Sequence, residues 1–368
     1  LNSNSPLPEQ RAIVSKIEQL FSELDNGIAN LKAAQQKLEI YRQAVLKKAF
    51  EGELTKAWRE QQTNLPTADE LLEQIKKERE AYYQQQLKDW QQSVIAWDAQ
   101  GRKGKKPGKP KLIKQIESVI VGDLIPLPND WRWVTFSDLG FWTGGGTPSK
   151  SVADYWNEGS LLWISPKDMK SKVINNTIDK ITYAAVGNSS AKLIDKGSVV
   201  FVVRSGILRR ILPIATTNQQ STVNQDLQAL TPFVVNTNFI YWYSVSNEHD
   251  IRKTCAKDGT TVESVESSTL KQYKFPLCST EEQNQIVREI ESRFSVCDKL
   301  ASTIEDNLQK AEALRQSILK KAFEGKLLSE AELEACRREP DWEPAEQLLE
   351  RIKGEKQAVP TTGNLFES

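Results

Sequence analysis

Glu9-Gln10-Arg11-Ala12-Ile13-Val14 returns 273 residues later as Glu282-Gln283-Asn284-Gln285-Ile286-Val287. The match runs without a gap to Leu46-Lys47-Lys48-Ala49-Phe50-Glu51-Gly52 against Leu319-Lys320-Lys321-Ala322-Phe323-Glu324-Gly325, and about half of the aligned positions are identical. An internal repeat of this length is the strongest organising signal a chain can carry. Two copies around a stretch of different texture argue against a solenoid. They predict two matching helices that bracket one inserted domain.

The apolar periodicity says what those helices are for. Ile17, Leu24, Leu31, Leu38 and Val45 stand seven apart, with Leu20, Ala34 and Tyr41 between them and Gly27 leaving a small gap. In the second copy Ile290, Cys297, Ile304, Ala311 and Ile318 take the same places, with Leu300 and Leu314 between. A sustained seven-residue repeat forms a coiled-coil seam. A helix of about 40 residues reaches roughly 60 Å at 1.5 Å per residue. The two helices are expected to pack on each other, or each on an equivalent helix of another chain. Ser279, three residues before Glu282, predicts a capping box at the second helix.

A weaker echo follows each copy. Asp69-Glu70-Leu71-Leu72-Glu73-Gln74-Ile75-Lys76 resembles Glu346-Gln347-Leu348-Leu349-Glu350-Arg351-Ile352-Lys353, each after a proline (Pro66, Pro344). Thr67 with Glu70 again makes a capping box. The first of these shorter helices extends through Tyr82, Tyr83, Trp90 and Trp97, aromatics that fit either a partner surface or packing on the chain itself. Next come Arg102, Lys103, Lys105, Lys106, Lys109, Lys111 and Lys114, seven basic residues without an acid, interleaved with Gly and Pro. That composition reads as a flexible or semi-extended linker. It serves either to neutralise phosphates or to stay solvated.

From Ile125 to Phe275 charged helices give way to short apolar runs: Trp131–Phe136, Leu161–Ile164, Val199–Val203 and Ile211–Ile214 read as strands. Asn236 opens a helix. This globular segment holds 16 basic and 13 acidic residues, a balance of +3, in a chain of zero net charge. The four cysteines have no C-x-x-C spacing and there is one histidine, His249, in an acidic setting. That excludes an ordinary zinc site. Scattered thiols suit a reducing, cytoplasmic compartment. Neither a run of 18 apolar residues nor a signal-peptide pattern occurs, so a soluble protein with no membrane partner is expected.

Gly144-Gly145-Gly146-Thr147-Pro148-Ser149-Lys150-Ser151 approaches a phosphate-binding P-loop. It fails because Ser149 replaces the second glycine and Pro148 removes a backbone donor. No nucleophile has a plausible His base and no carboxylate pair stands out, so no catalytic residue is assigned. The chain reads as a binder.

Two openings of the form E-Q-x-x-I-V-x-x-I-E, each leading to L-K-K-A-F-E-G-x-L, resemble the conserved regions of type I restriction–modification specificity subunits. The middle landmarks fit the same family: Trp131-Arg132-Trp133-Val134, Thr143–Lys150, Tyr155-Trp156, Trp163–Met169, Asn224-Gln225-Asp226 and Phe275-Pro276-Leu277. The resemblance covers nearly the whole chain in the right order. Cys278 departs from it, standing where the family has proline. By this resemblance the chain is α+β. A first long helix (1–56), an accessory helical region (57–98) and a basic Gly/Pro linker (99–124) precede a mostly-β target-recognition domain (125–278). A second long helix (279–328), antiparallel to the first, and a C-terminal accessory helix and tail (329–368) follow.

The resemblance implies a non-catalytic reader of one half of a bipartite site in double-stranded DNA. It docks modification (methyltransferase) subunits, which bind S-adenosylmethionine, and works with restriction subunits, which use ATP and Mg; no cofactor belongs to this chain. The family carries two target-recognition domains and this chain carries one. The chain is therefore expected to be a C-terminal portion or a half-subunit, the latter with possible self-association. The rival reading is a structural coiled-coil scaffold with an accessory domain. Candidate DNA contacts are Lys167, Lys170 and Lys172; Arg204, Arg209 and Arg210; Gln219, Gln220 and Asn224; and Thr260 and Thr261 after Gly259. Amide and basic side chains on groove-facing loops are the types that read bases and position phosphates. Trp131, Trp133 and Trp163 are assigned to the core.

Overall fold

The computed structural model describes residues 5–103, 106–110, 119, 122, 124–257 and 263–358. Thr260 and Thr261 lie outside the described residues. The long helices are α1 (Leu7–Phe50) and α8 (Thr280–Phe323), each of 44 residues and offset by the same 273 positions as the sequence repeat. Both end alike. Gly52 and Gly325 adopt left-handed φ values of 78° and 70°. Two successive amides bond back to close the turn: Gly52 to Ala49 and Glu53 to Lys48 in one copy, Gly325 to Ala322 and Lys326 to Lys321 in the other. Glycine takes that conformation without a Cβ penalty, which is why the motif ends in Gly.

Two compact units divide the chain. The first comprises the residues up to Tyr41 and those from Ser295 onward. In it α1 and α8 run antiparallel: Arg315 pairs with Asp25 and lies 4.7 Å over the Phe21 ring, while Lys16 reaches Glu332 at 2.8 Å. Ile304 and Ile318 are buried, as are Ile13 and Ala322, and Ile17, Leu24, Leu31 and Leu38 are half-buried. Leu300 and Leu314 are instead 48% and 51% exposed. The intervening positions of α8 are Ala301, Leu308, Arg315 and Ala322, one residue later than the sequence suggested. Ile28 occupies the step at which Gly27 left a gap. Helices α9 (Glu330–Arg337), with its Ser329–Glu332 capping box, and α10 (Ala345–Ala358) complete this unit.

The second unit, Arg42–Phe294, holds the sheets. Helices α2 (Lys56–Arg59) and α3 (Ala68–Ala99) come first, α3 starting at the predicted Thr67–Glu70 capping box. Strands β1 (Arg132–Thr135) and β11 (Lys274–Leu277) pair antiparallel. A five-stranded sheet has the order β2-β10-β7-β8-β4, from Gly140–Gly144, Leu227–Pro232, Val199–Val202, Ile214–Thr217 and Val173–Ile174. A four-stranded sheet has the order β5-β3-β9-β6, from Asp179–Ile181, Leu161–Ile164, Ser221–Val223 and Leu193–Ile194. The expected strand at Ile211 begins only at Ile214, because Pro213 has no N–H to donate to a ladder. Helix α4 is Tyr183–Asn188, α5 is Thr237–Ser246 with Asn236 as its cap, α6 is Glu248–Thr254 and α7 is Ser267–Lys271.

The core of this unit includes the end of α1. Phe50 lies 5.3 Å from Phe239 and 5.1 Å from Tyr243, in an aromatic cluster with Phe136, Phe201 and Phe275. A buried carboxylate ties the start of α8 to the same place. Glu282 accepts from Thr55 Oγ1 at 2.7 Å, from Trp131 Nε1 at 2.8 Å and from Arg59. Its own N–H donates to Ser279 Oγ at 3.2 Å. The capping box is therefore half made, since the carboxylate turns into the core instead of back to the Ser279 amide. Gln283 donates to Cys278 O, five residues back, as Gln10 does to Ser5 O in the first repeat.

Replacing Glu282 by Ala leaves the partly buried Arg59 and the Trp131 N–H without their partner; urea unfolding should show a loss of about 3–5 kcal/mol. The exposed neighbour Glu281→Ala should cost within about 0.5 kcal/mol. In the other unit Ile304→Ala should destabilise by roughly 2–5 kcal/mol. Leu300→Ala should stay near the surface value of about 0.5 kcal/mol. Equal costs at Ile304 and Leu300 would contradict the seam described here.

Candidate nucleic-acid interface

The strand register gathers several loops at one end of the two sheets. Gln228 faces Gly144 and Leu227 faces Val202, so β2 and β7 both finish where β10 begins. Ile164 pairs with Val223 in parallel, and Asn224 N donates to Ile164 O at 2.9 Å, so β3 and β9 finish together. Gly146 N donates to Val223 O, bringing the glycine run to the same place. A Cβ on Gly145 would sit 1.9 Å from Asn224 O, and one on Gly146 would sit 2.4 Å from Ser190 O. Backbone approach therefore accounts for this glycine run, with no phosphate needed.

Four exposed loops follow from this: 147–151, 165–170, 204–210 and 224–226. They carry Lys150, Lys167, Lys170, Arg204, Arg209 and Arg210, all exposed. Asp168 fixes the second loop. It accepts from Ser165 N at 2.9 Å, from Ser165 Oγ at 2.7 Å and from Ile178 N at 2.9 Å. Arg204 Nε pairs with Asp226 at 2.7 Å, and Arg209 lies 3.6 Å from Glu263. Arg210 has no acidic partner among the described residues. Arg252 holds the turn by donating to the carbonyls of Leu208 and Arg209. Thr147 Oγ1 donates to Gln225, which is exposed beside them.

Two of the candidate residues are structural. Asn224 is 5% exposed, donates to Asp226 Oδ2 at 3.2 Å and accepts from Asp226 N at 3.0 Å. It braces the turn that presents Gln225. Lys172 pairs with Glu291 at 2.5 Å and lies 4.8 Å over the Trp242 ring, so its charge is already matched inside the protein. Trp131 and Trp163 are buried, the latter donating to Gly146 O.

Gln219 and Gln220 belong to the opposite end of β9, about 10 Å away at the rise of a three-residue strand. There the sequence reading missed a cluster. Asn218 donates to Asn175 Oδ1 at 2.6 Å, joining the β8–β9 turn to the loop after β4. Asn175, Asn176, Asn218, Gln219 and Gln220 are all exposed. No charged residue occurs from Ile211 to Gln225. Such amides are the side chains that pair with the adenine major-groove edge, while the lysines and arginines at the other end suit phosphates. The repeated Asn and Gln letters were the available signal.

No group of His, Cys, Asp and Glu among the described residues could hold a metal. The four cysteines are buried and unpaired; burial, with Asp250 and Glu266 nearby, raises the Cys255 thiol to about 11. No helix of the described residues is long and apolar enough to cross a membrane.

Residues 128–310, which hold all of these loops, match the family described as the type I restriction modification DNA specificity domain. The chain belongs to the type I restriction–modification specificity-subunit family. It is 40% identical over 186 residues to the EcoR124I/EcoR124II specificity subunit of Escherichia coli, covering 50% of this chain and 45% of that protein. To the EcoDI specificity subunit of Escherichia coli it is 24% identical over 351 residues, 95% of this chain and 67% of that one. To the MjaIX specificity subunit of Methanocaldococcus jannaschii it is 30% identical over 169 residues, 45% and 38%. The chain thus spans less than half the length of the first of these relatives. A solved chain from a study of complex assembly and conformational transition in the type I R-M system shares the fold. Its TM-score is 0.56 at 19% identity, over 87% of this chain and 60% of that one.

Proposed function

We propose that this chain reads one half of a bipartite DNA site and docks the subunits that modify and cut the DNA, without catalysing either step itself. The observation that carries this reading is the match of residues 128–310, the sheets and the first part of α8, to a DNA specificity domain, in a chain whose α1 repeats α8 in length and sequence. The basic loops of Lys167, Lys170, Arg204, Arg209 and Arg210 supply phosphate contacts that fix register. The amide cluster around Asn218 and Gln219 supplies sequence choice. S-adenosylmethionine, ATP and Mg belong to the partner subunits. A scaffold role explains the seam but gives no reason for exposed amides at one end of β9 and basic loops at the other.

The two classes of residue should behave differently. Arg209→Ala with Arg210→Ala should weaken binding to all duplexes alike and lower the slope of log K against log salt by about 2. Asn218→Ala with Gln219→Ala should keep the slope and lose roughly 1–3 kcal/mol of discrimination per base read. An unchanged sequence preference in the second variant would remove the amide cluster from the interface. The helices are proposed to set the spacing between half-sites, a geometric quantity in two-part DNA readers. Lengthening both by one heptad should change the spacer of methylated sites, and an unchanged spacer would dismiss the ruler role.

A further inference from the structure

The basic stretch after α3 is folded back along that helix. Gln100 caps α3, and Gly101 and Arg102 take left-handed φ values of 72° and 61°. Gly101 N bonds to Asp98 O and Arg102 N to Trp97 O, which reverses the chain. Arg102 Nε pairs with Asp98 at 2.8 Å. From there the chain runs back along α3 in an order that the contacts give directly. The Lys106 ammonium lies 6.0 Å from the Trp97 ring, Trp90 Nε1 donates to Pro107 O at 3.0 Å, and Lys109 lies 5.9 Å from the Trp90 ring. Pro110 then borders the cleft lined by Tyr82 and Gln86. The first half of α3 is held on the sheet domain: Ala68, Leu71 and Ile75 are buried, and Tyr82, near its middle, stacks on Phe141 at 4.4 Å.

Two tryptophans thus pin an extended segment that has neither helix nor strand of its own. Lys103, Lys106 and Lys109 are exposed and have no carboxylate partner among the described residues. A lysine over an indole face keeps its full charge and its outward donors while its stem is restrained. Trp90 and Trp97 are seven residues apart, about 10 Å along the helix at 1.5 Å per residue. That is about three base-pair steps of B-DNA at 3.4 Å each. Lysine ammonium groups are point charges that suit phosphates, and the one guanidinium beside them, Arg102, is paired with Asp98.

We infer that the arm formed by Lys103 and residues 106–109, pinned on α3, is a second DNA-contacting surface that grips the phosphate backbone of the duplex without regard to sequence. The inference rests on the DNA-reading function proposed above. It assigns to α3 the role of a strut that carries cations beyond the sheet loops.

The test is a salt titration of duplex binding by the full chain, wild type against Lys103→Gln/Lys106→Gln/Lys109→Gln, on one duplex with the methylated half-site and one without it. The inference expects the slope of log K against log salt to fall by about 2–3 on both duplexes, with their affinity ratio unchanged. A Trp90→Ala/Trp97→Ala variant, which keeps every charge but releases the arm, should lose affinity in the same direction by a smaller factor. An unchanged slope in the lysine variant overturns the inference. So does an unchanged slope accompanied by loss of a co-purifying subunit, which would make the arm a protein contact. A wild-type chain that binds both duplexes equally would count against the reader function, and the slope comparison would still decide the arm.

Discussion

The buried Glu282 carboxylate is the point on which the sheet-bearing unit depends. It accepts from Thr55 and Arg59 just past the end of α1, and from Trp131 at the entrance to β1, while standing in the first turn of α8. Three segments that are far apart in sequence therefore share one anion. A carboxylate with this little exposure persists only where its charge and lone pairs are met. Phe50, set into the aromatic cluster of Phe239 and Tyr243, closes the same junction from the apolar side. Within the sheet-bearing unit, the last turns of α1, the entrance to β1 and the first turn of α8 are thereby held together.

That bracing explains the division of labour among polar groups. Charges that organise the protein are paired or stacked, as Lys172 is with Glu291 and Trp242. Arg79 is nine-tenths buried near Asp138, and its burial lowers its pKa while that carboxylate raises it. Exposed donors stand, among other places, on the loops at the two ends of β9 and on the arm beside α3. Reading DNA in the way proposed needs rigid strands, short loops and unmatched donors facing outward.

Much of this was legible in the sequence because periodicity and repetition are local. The offset of 273 residues gave both long helices and their shared glycine ends, and Thr67 and Asn236 announced two helix starts. The misses have physical causes. A 3.5-residue period admits a step of three or of four, and only the facing helix decides that Ala301 and Leu308 lie inward while Leu300 and Leu314 do not. Asn224 has the chemistry of a base reader, yet strand pairing that is remote in sequence buries it. The Gly/Pro-rich basic stretch disfavours helix and strand, but nothing local says that Trp90 and Trp97 hold part of it. Asn175 and Asn218 lie 43 residues apart and meet only through the parallel pairing of β4 with β8.

The central claim is that the residues of this domain choose a DNA sequence for enzymes carried by other chains. The most direct measurement is sequencing of methylated bases in cells that express this chain with its co-purifying methyltransferase subunit, beside the same cells carrying Asn218→Ala/Gln219→Ala. The account predicts one bipartite motif, with relaxed choice at bases of a single half-site in the variant. Methylation without a motif, or an identical motif from both chains, would contradict it.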